Sequence, residues 1–339
     1  MVHYVDGEEW EDCMKYRSLG QTGLQVSEIG FGAWAIGGEW GSKDDDAAVE
    51  ALIRAMDQGV NFIDTAAAYG AGHSERLIAR AFREKGERCL VASKVTPKNW
   101  KWPALPDIPV TEVFPRDHVI STVEQSLKNL ETDCLDLIQL HCWTDRFNRE
   151  LEWYEAFVKL REQGKVRFFG VSVNDWDPHG GANLVKSNRV DSIQVIYNIF
   201  EQRPAEQLFP AAIEHNVGII VRVPFEEGLL TGKIGPGYVF GEKDWRAQWL
   251  SGGRMEEAWE RVRALRWVEN PNRTMAQAAL KFILAHPAVS TVIPGMRSMR
   301  HVDENTAVSD QVIMGSEEVE RLKSHAWVHG FKYPWAADA

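Results

Sequence analysis

The sequence predicts an α/β chain folded as one closed (β/α)8 barrel, preceded by a β-hairpin. Three observations carry that expectation. Eight short apolar runs recur over residues 28–293, nearly all separated by segments whose apolar residues have helical spacing. Such strict alternation implies a parallel sheet with right-handed crossovers. The 339 residues would make two average domains, but they also suit a single α/β barrel. No Gly-x-Gly-x-x-Gly run follows a strand to open a helix, which argues against an open dinucleotide-binding sheet. Eight strand–helix units fit a TIM barrel better than a doubly wound sheet.

The elements follow in order. Residues 1–14 are polar, acidic and without period, and read as an extension; 15–330 read as the barrel domain and 331–339 as a tail. Residues 16–27 carry Gly20, Thr22 and Gly23 between short extended pieces, the signal of a hairpin that would plug the N-terminal mouth. Residues 28–34 (EIGFGAW) make the first strand. Residues 44–58 read as a helix with acids in its first turn, where they favour the dipole, and Gly59 at its end. The second strand opens the run VNFIDTAAAYG at 60–70. Helix 74–85, strand 89–94, helix 117–130, strand 135–141 and helix 151–163 come next. Strand 167–172, helix 180–186, strand 191–195, helix 205–215 and strand 217–223 continue the pattern. An amphipathic stretch at 255–268, helix 275–285, strand 288–293 and helices 300–308 and 316–326 complete it. Two connections are long, 95–115 and 231–253; loops of that length in a barrel are usually lids or binding loops.

Composition narrows the function. A net charge of −11 disfavours nucleic acid and anionic membrane as main partners. The four cysteines, Cys13, Cys89, Cys134 and Cys142, form no C-x-x-C pair, and Cys89 and Cys134 read as buried small hydrophobes. No secretory signal or membrane span is visible, so a reducing, cytoplasmic setting and a small-molecule substrate are expected. Trp34, Trp40, Trp100, Trp102, Trp143, Trp176, Trp245 and Trp249 are candidates for an aromatic cleft. No metal-ligand cluster such as H-x-x-x-H is present.

The active site of such a barrel lies at the C-terminal ends of its strands. The second strand ends in Asp64, with Tyr69 close behind, the third in Lys94 and the fourth in His141. The fifth gives Ser172 and Asn174, the sixth Gln194, the seventh Arg222, and the eighth Pro294, Gly295 and Arg297. Several ionisable types thus converge from consecutive strands.

At these residues the chain resembles the aldo-keto reductases. FIDTAAAYG, VASK and LIQLH carry, in order, the Asp-Tyr-Lys-His tetrad of that family on Asp64, Tyr69, Lys94 and His141. LGQTGLQVSEIGFG resembles its opening hairpin and first strand, and LLTGK and VIPGMRSMRHVDEN its cofactor segments. The resemblance implies a nicotinamide cofactor, NADP(H) preferred and NAD(H) possible. Gly32, Ala33, Trp34 and Asp64 would border it, and Ser172, Asn174 and Gln194 would hold its carboxamide. The turn with Pro224, Phe225, Gly228, Leu229 and Lys233 would wrap the pyrophosphate. Arg297, Arg300 and His301 would meet a 2′-phosphate beside Pro294 and Gly295, and Glu304 and Asn305 the adenine. Trp34, Tyr69, Trp100, Trp102, His141 and Trp143 would face the substrate.

The sequence departs from the family pattern at three places. Val173 separates Ser172 from Asn174, Arg222 stands where many members stack an aromatic on the nicotinamide, and Gly295 where many carry a lysine. Arg222 could stack, contact the pyrophosphate, or pair with Glu226 or Glu227.

The chemistry can be stated from the residues. Reducing a carbonyl by hydride transfer leaves a charged oxygen that needs a proton. A tyrosine can supply it, and a neighbouring ammonium is expected to lower its ordinary value of about 10. Lys94 would do so, held by Asp64, while His141 would donate a hydrogen bond to the carbonyl oxygen. Two other functions remain open from sequence: a cofactor-binding regulatory or interaction subunit on the same fold, and a barrel lyase using Lys94 as a Schiff base.

Overall fold

Residues 2–5, 8–11, 14–37, 44–175, 177–242, 244–310, 312–331 and 333 are described in the computed structural model of the chain. Two antiparallel pairs lead the chain: β1 (Val2–Val5) with β2 (Glu8–Glu11), and β3 (Tyr16–Ser18) with β4 (Gln25–Ser27). The first pair lies within the stretch read as having no period. Eight strands follow: β5 (Phe31–Gly32), β6 (Phe62–Asp64), β7 (Leu90–Val95), β8 (Leu135–Leu140), β9 (Val166–Ser172), β10 (Ser192–Ile196), β11 (Gly218–Arg222) and β12 (Val289–Val292). They pair parallel in sequence order. Ile29 and Gly32 bridge in parallel to Val292 and Gly295, so the first strand meets the last and the barrel closes. The closure is tight at Gly32. A Cβ there would lie 2.6 Å from the Ile293 carbonyl oxygen and 2.9 Å from that of Pro294, so only glycine permits the approach.

Side chains alternate along each strand, and the inward set changes character along the axis. Near the N-terminal mouth it is apolar: Phe62, Ala92, Leu137, Ile220 and Ile293 pack with Leu19, Leu24 and Val26 of the hairpin into one buried cluster. The hairpin therefore plugs that mouth as expected, each buried Leu or Phe contributing about 1.5–3 kcal/mol. Toward the C-terminal rim the inward residues are polar. A larger apolar core lies between barrel and helices.

The helices answer to their local signals. Asp45–Asp57 starts where its N-cap Asp44 accepts from the Ala47 N–H at 3.0 Å. Met275–Leu284 starts at a reciprocal capping box of Thr274 and Gln277. The segment read as helix over 205–215 is shorter: a 3-10 turn at Arg203–Ala205, then Leu208–Glu214. Two four-residue helices, Val110–Val113 and Arg246–Trp249, sit in the long connections; one turn is too short to show a period. Cys89 and Cys134 are half-buried rather than buried, and Cys142 is buried. Cys13, Trp40 and Trp176 lie outside the described residues. No helix among the described residues is long and apolar enough to cross a membrane.

Candidate active site

Alternation along the strands brings Asp64, Lys94, Gln139 and Gln194 together inside the rim. The Lys94 ammonium donates to Asp64 Oδ1 at 2.5 Å and to the Thr65 carbonyl at 2.9 Å. The two charged side chains are 1% and 3% exposed. Asp64 Oδ2 accepts from Gln194 Nε2 at 2.7 Å and from Gln139 Nε2 at 3.3 Å. A buried ion pair needs such extra donors to offset its desolvation. Sequence reading missed Gln139, although its place two residues before His141 put it on the same strand face. Gln194, expected at the carboxamide, donates its amide nitrogen to Asp64.

Tyr69 sits on the turn after β6. Lys94 Nζ donates to its hydroxyl at 3.2 Å and lies 5.0 Å from the ring centre. Burial pushes the Tyr69 hydroxyl above its ordinary value; Lys94 pulls it down and Asp64 pushes it further up. The sequence expectation of a lowered value is therefore reversed. Taking a phenolate out of water costs more than the paired ammonium returns. The hydroxyl stays protonated at neutral pH, the form in which it can give a proton. Burial alone would push the Lys94 ammonium down, but Asp64 and Tyr69 outweigh it and hold it above its usual value.

His141 meets the Tyr69 ring edge-on at 5.8 Å and the Trp102 ring at 5.6 Å. Burial, then the charges of Lys94 and Arg222, hold its imidazole well below the usual histidine range. It is neutral, with one ring nitrogen donating and the other accepting. Its Nδ1 is buried without a protein partner among the described residues.

The residues expected around the cofactor divide into two groups. Ser172 is buried at the end of β9, and its hydroxyl has no protein partner among the described residues. Asn174 has a different part. Its Oδ1 accepts from the N–H groups of Ala104 at 3.2 Å and Trp143 at 3.4 Å, and its Nδ2 donates to the Ala104 carbonyl at 3.1 Å. The amide clasps two loops together instead of standing free for a carboxamide. Arg222 forms an ion pair, but with Asp175 at 2.6 Å rather than with Glu226 or Glu227, and it also donates to the Val173 carbonyl at 3.0 Å. Its Nε is buried without a partner among the described residues.

After β11 the backbone takes left-handed values at Val223 (φ 53), Glu226 (φ 43), Glu227 (φ 53) and Gly228 (φ 97). Three non-glycine residues in this region mark a turn held by its surroundings. Pro224 is buried and Leu229 is in the core, so at those two positions the backbone is what can face a ligand, while Phe225 is partly buried. Lys233, Arg297 and Arg300 lie close enough to His301 to lower it, after burial has done so first. Arg300 also pairs with Glu304 at 2.8 Å, and Asn305 is buried. A Cβ on Gly295 would meet nothing within 4 Å, leaving open space beside this basic cluster. The unpartnered Ser172 hydroxyl, the orphaned Arg222 Nε, the left-handed turn and the basic cluster follow one another around the rim. Those features fit a dinucleotide, with a polar end for the carboxamide, backbone for the pyrophosphate and cations for a further phosphate.

The aromatic wall is smaller than expected. Trp102 borders His141, and Trp100, 65% exposed, meets it edge-on at 6.0 Å. Trp34 and Ala33 follow β5, Trp34 being half-buried. Trp143 is fully buried against Phe147 and Trp153, so it belongs to the core behind the site. Trp245 and Trp249 pack on Tyr333 from the C-terminal segment. A cavity of about 610 Å³ lined by Asp145, Asp177, His179 and Glu206 opens beside the rim and includes none of the tetrad. Among the described residues, no group of three or more His, Cys, Asp or Glu could hold a metal.

Comparison with known proteins agrees with this geometry. Residues 28–326 match the model of the aldo/keto reductase family. The chain is 36% identical over 236 residues to the aldo-keto reductase YhdN of Bacillus subtilis, covering 69% of each chain. It is 30% identical over 318 residues to the uncharacterized oxidoreductase YqkF of the same organism, covering 92% of this chain and 96% of that one. The solved glycerol dehydrogenase AKR11B4 of Gluconobacter oxydans superposes with a TM-score of 0.75 at 27% identity, over 92% of this chain and 94% of that one.

Proposed function

The chain belongs to the aldo/keto reductase family, and from that premise we propose that it reduces an aldehyde or ketone to an alcohol, with Tyr69 as the proton donor. One observation carries the reading: the Lys94 ammonium is shared between the Asp64 carboxylate and the Tyr69 hydroxyl, beside a neutral His141. When bound, a reduced nicotinamide supplies the hydride. The chain's own residues do the rest. His141 donates a hydrogen bond to the carbonyl oxygen and orients it. Tyr69, kept protonated by burial, gives its proton to that oxygen, and Lys94 stabilises the phenolate left behind. Asp64, anchored by Gln139 and Gln194, keeps Lys94 in place. A panel of carbonyl compounds followed at the nicotinamide absorbance band tests this, and turnover with at least one of them is the expected outcome.

Family members use nicotinamide cofactors, but their names divide between the two. One relative is the NADH-specific methylglyoxal reductase of Escherichia coli; another is the NADP(+) aldo-keto reductase yakc of Schizosaccharomyces pombe. We infer a preference for NADPH. Its support is the local exception in an acidic protein: Lys233, Arg297, Arg300 and His301 gathered at the strand-to-helix junction. A 2′-phosphate carries about −1.5 to −2 charges, and arginine offers it a two-pronged fork. Gly295, where a lysine would add another cation, limits the advantage. The ratio of kcat/KM for NADPH over NADH should exceed one and fall about tenfold in Arg297→Ala, equivalent to about 1.4 kcal/mol. The advantage should also weaken with added salt. A wild-type preference for NADH, or an unchanged ratio in the variant, would place phosphate recognition elsewhere.

A further inference from the structure

Glu227 is a buried acid in the left-handed turn after β11, whose backbone fits a pyrophosphate, and no step of the proposed reaction uses it. Glu226 and Glu227 are consecutive and only 4% and 9% exposed. The backbone is left-handed at both, and both side chains are buried rather than turned to solvent. The two are not equally compensated. Glu226 accepts from Asn198 Nδ2 at 2.6 Å and sits 2.8 Å from His329 Nε2. Glu227 Oε1 accepts from the Tyr333 hydroxyl at 3.0 Å. Arg246 donates to the Asp244 carboxylate and to the main-chain oxygen of Glu227.

The charged groups that face Glu227 are Glu226 on the same turn, Asp175 from the loop after β9, and Arg246 from the 231–253 connection. Arg222 at the end of β11 faces Tyr333. Burial, then the Glu226 charge, push the Glu227 carboxyl up to about 8, against the pull of the Tyr333 hydrogen bond and Arg246. At neutral pH it is mostly the neutral acid, near pH 8 it is half ionised, and by pH 9 it is mostly a carboxylate.

A pyrophosphate brings two negative charges to this turn. A neutral Glu227 leaves them unopposed, whereas an ionised one would repel them from a buried position that salt screens poorly. We propose that Glu227 must hold its proton for the dinucleotide to bind, and that the Tyr333 hydroxyl, by donating to its carboxyl, makes that proton easier to lose. The sign follows from linkage. A ligand that favours the protonated form binds more weakly as pH rises, and takes up a proton where the free protein has lost one. The Tyr333 hydroxyl stabilises the ionised form, so removing it should move the onset to higher pH.

The inference rests on the proposed cofactor site, and its test separates the two. The dissociation constant of NADPH is measured on the full chain without substrate, by nicotinamide fluorescence from pH 7 to 9.5. In the wild type it should rise about tenfold between pH 7 and 9. Calorimetry at pH 8, in buffers of different ionisation enthalpy, should show uptake of about half a proton per cofactor bound. Glu227→Gln should bind at the neutral-pH affinity throughout and take up no proton. Tyr333→Phe should keep the slope but start it at higher pH. Tight binding that is flat with pH in the wild type, or a wild-type slope retained in Glu227→Gln, would overturn the proton link alone. Failure to bind the dinucleotide at any pH would overturn the cofactor site as well.

Discussion

Tyr69→Phe should lower kcat for carbonyl reduction by about 10²–10⁴-fold, the usual contribution of a positioned general acid, and leave cofactor affinity within a few-fold. The ring stays, with its edge contact to His141, while the hydroxyl 3.2 Å from Lys94 is lost. The pH profile carries independent information. Burial holds the hydroxyl above its ordinary value, so reduction should persist through pH 9 and fall only at more alkaline pH. The reverse reaction needs the phenolate and should rise there. His141 is held neutral by burial and two cations, so no limb should occur between pH 6 and 7. Retention of most turnover in Tyr69→Phe with a good substrate would remove Tyr69 from its role.

Lys94→Met should be nearly as damaging, for two separable reasons. The variant loses the charge that stabilises the phenolate, and it leaves Asp64 buried with only the two glutamine amides. Breaking a buried pair by removing one partner costs about 3–5 kcal/mol, so the melting temperature should fall along with kcat. Asp64→Asn should hurt activity less, because the cation remains. Burial is the largest influence on that ammonium, and without Asp64 it should lose its proton more easily. Activity of Asp64→Asn should therefore recover as pH falls, which simple loss of structure would not produce. The sign for wild-type stability is fixed in the same way. Lys94 binds its proton more tightly folded than unfolded, so its contribution is full below the ordinary lysine value of about 10.4 and is lost as pH rises through the raised one. A fully active Lys94→Met variant with a normal melt would contradict the assignment.

The convergence of Asp64, Tyr69, Lys94 and His141 was legible because it depends on two local regularities: period-two alternation, and the rule that barrel strands turn polar at the C-terminal rim. Asp64, Lys94 and His141 each end an apolar run, and Gln139 falls on the same face by the same count. What stayed illegible depends on where distant loops fold back. Asn174 looks like a strand-end amide, but its partner Ala104 is 70 residues away in the 95–115 connection. Trp143 adjoins the tetrad in sequence, yet the turn after β8 drives it into the core against Phe147 and Trp153. Arg222 has acids at Glu226 and Glu227, but the carboxylate that reaches it is Asp175 from the loop after β9. The Tyr69 hydroxyl was misjudged for a related reason: the neighbouring ammonium is visible in sequence, whereas the depth of burial opposing it is not. Tyr333 lies 106 residues from Glu227, in a segment with no pattern to announce it.

The central claim is that these four residues turn a bound carbonyl into an alcohol, and the most direct test is the rate at which nicotinamide absorbance is lost. Wild-type protein with NADPH is offered a panel of aldehydes and ketones, and the best substrate is then given to Tyr69→Phe. The expected result is turnover of about 1–10³ s⁻¹ with the best carbonyl, and its loss in the variant. A protein that binds NADPH tightly but turns over no carbonyl would contradict the account, and would point to a cofactor-binding subunit on the same barrel.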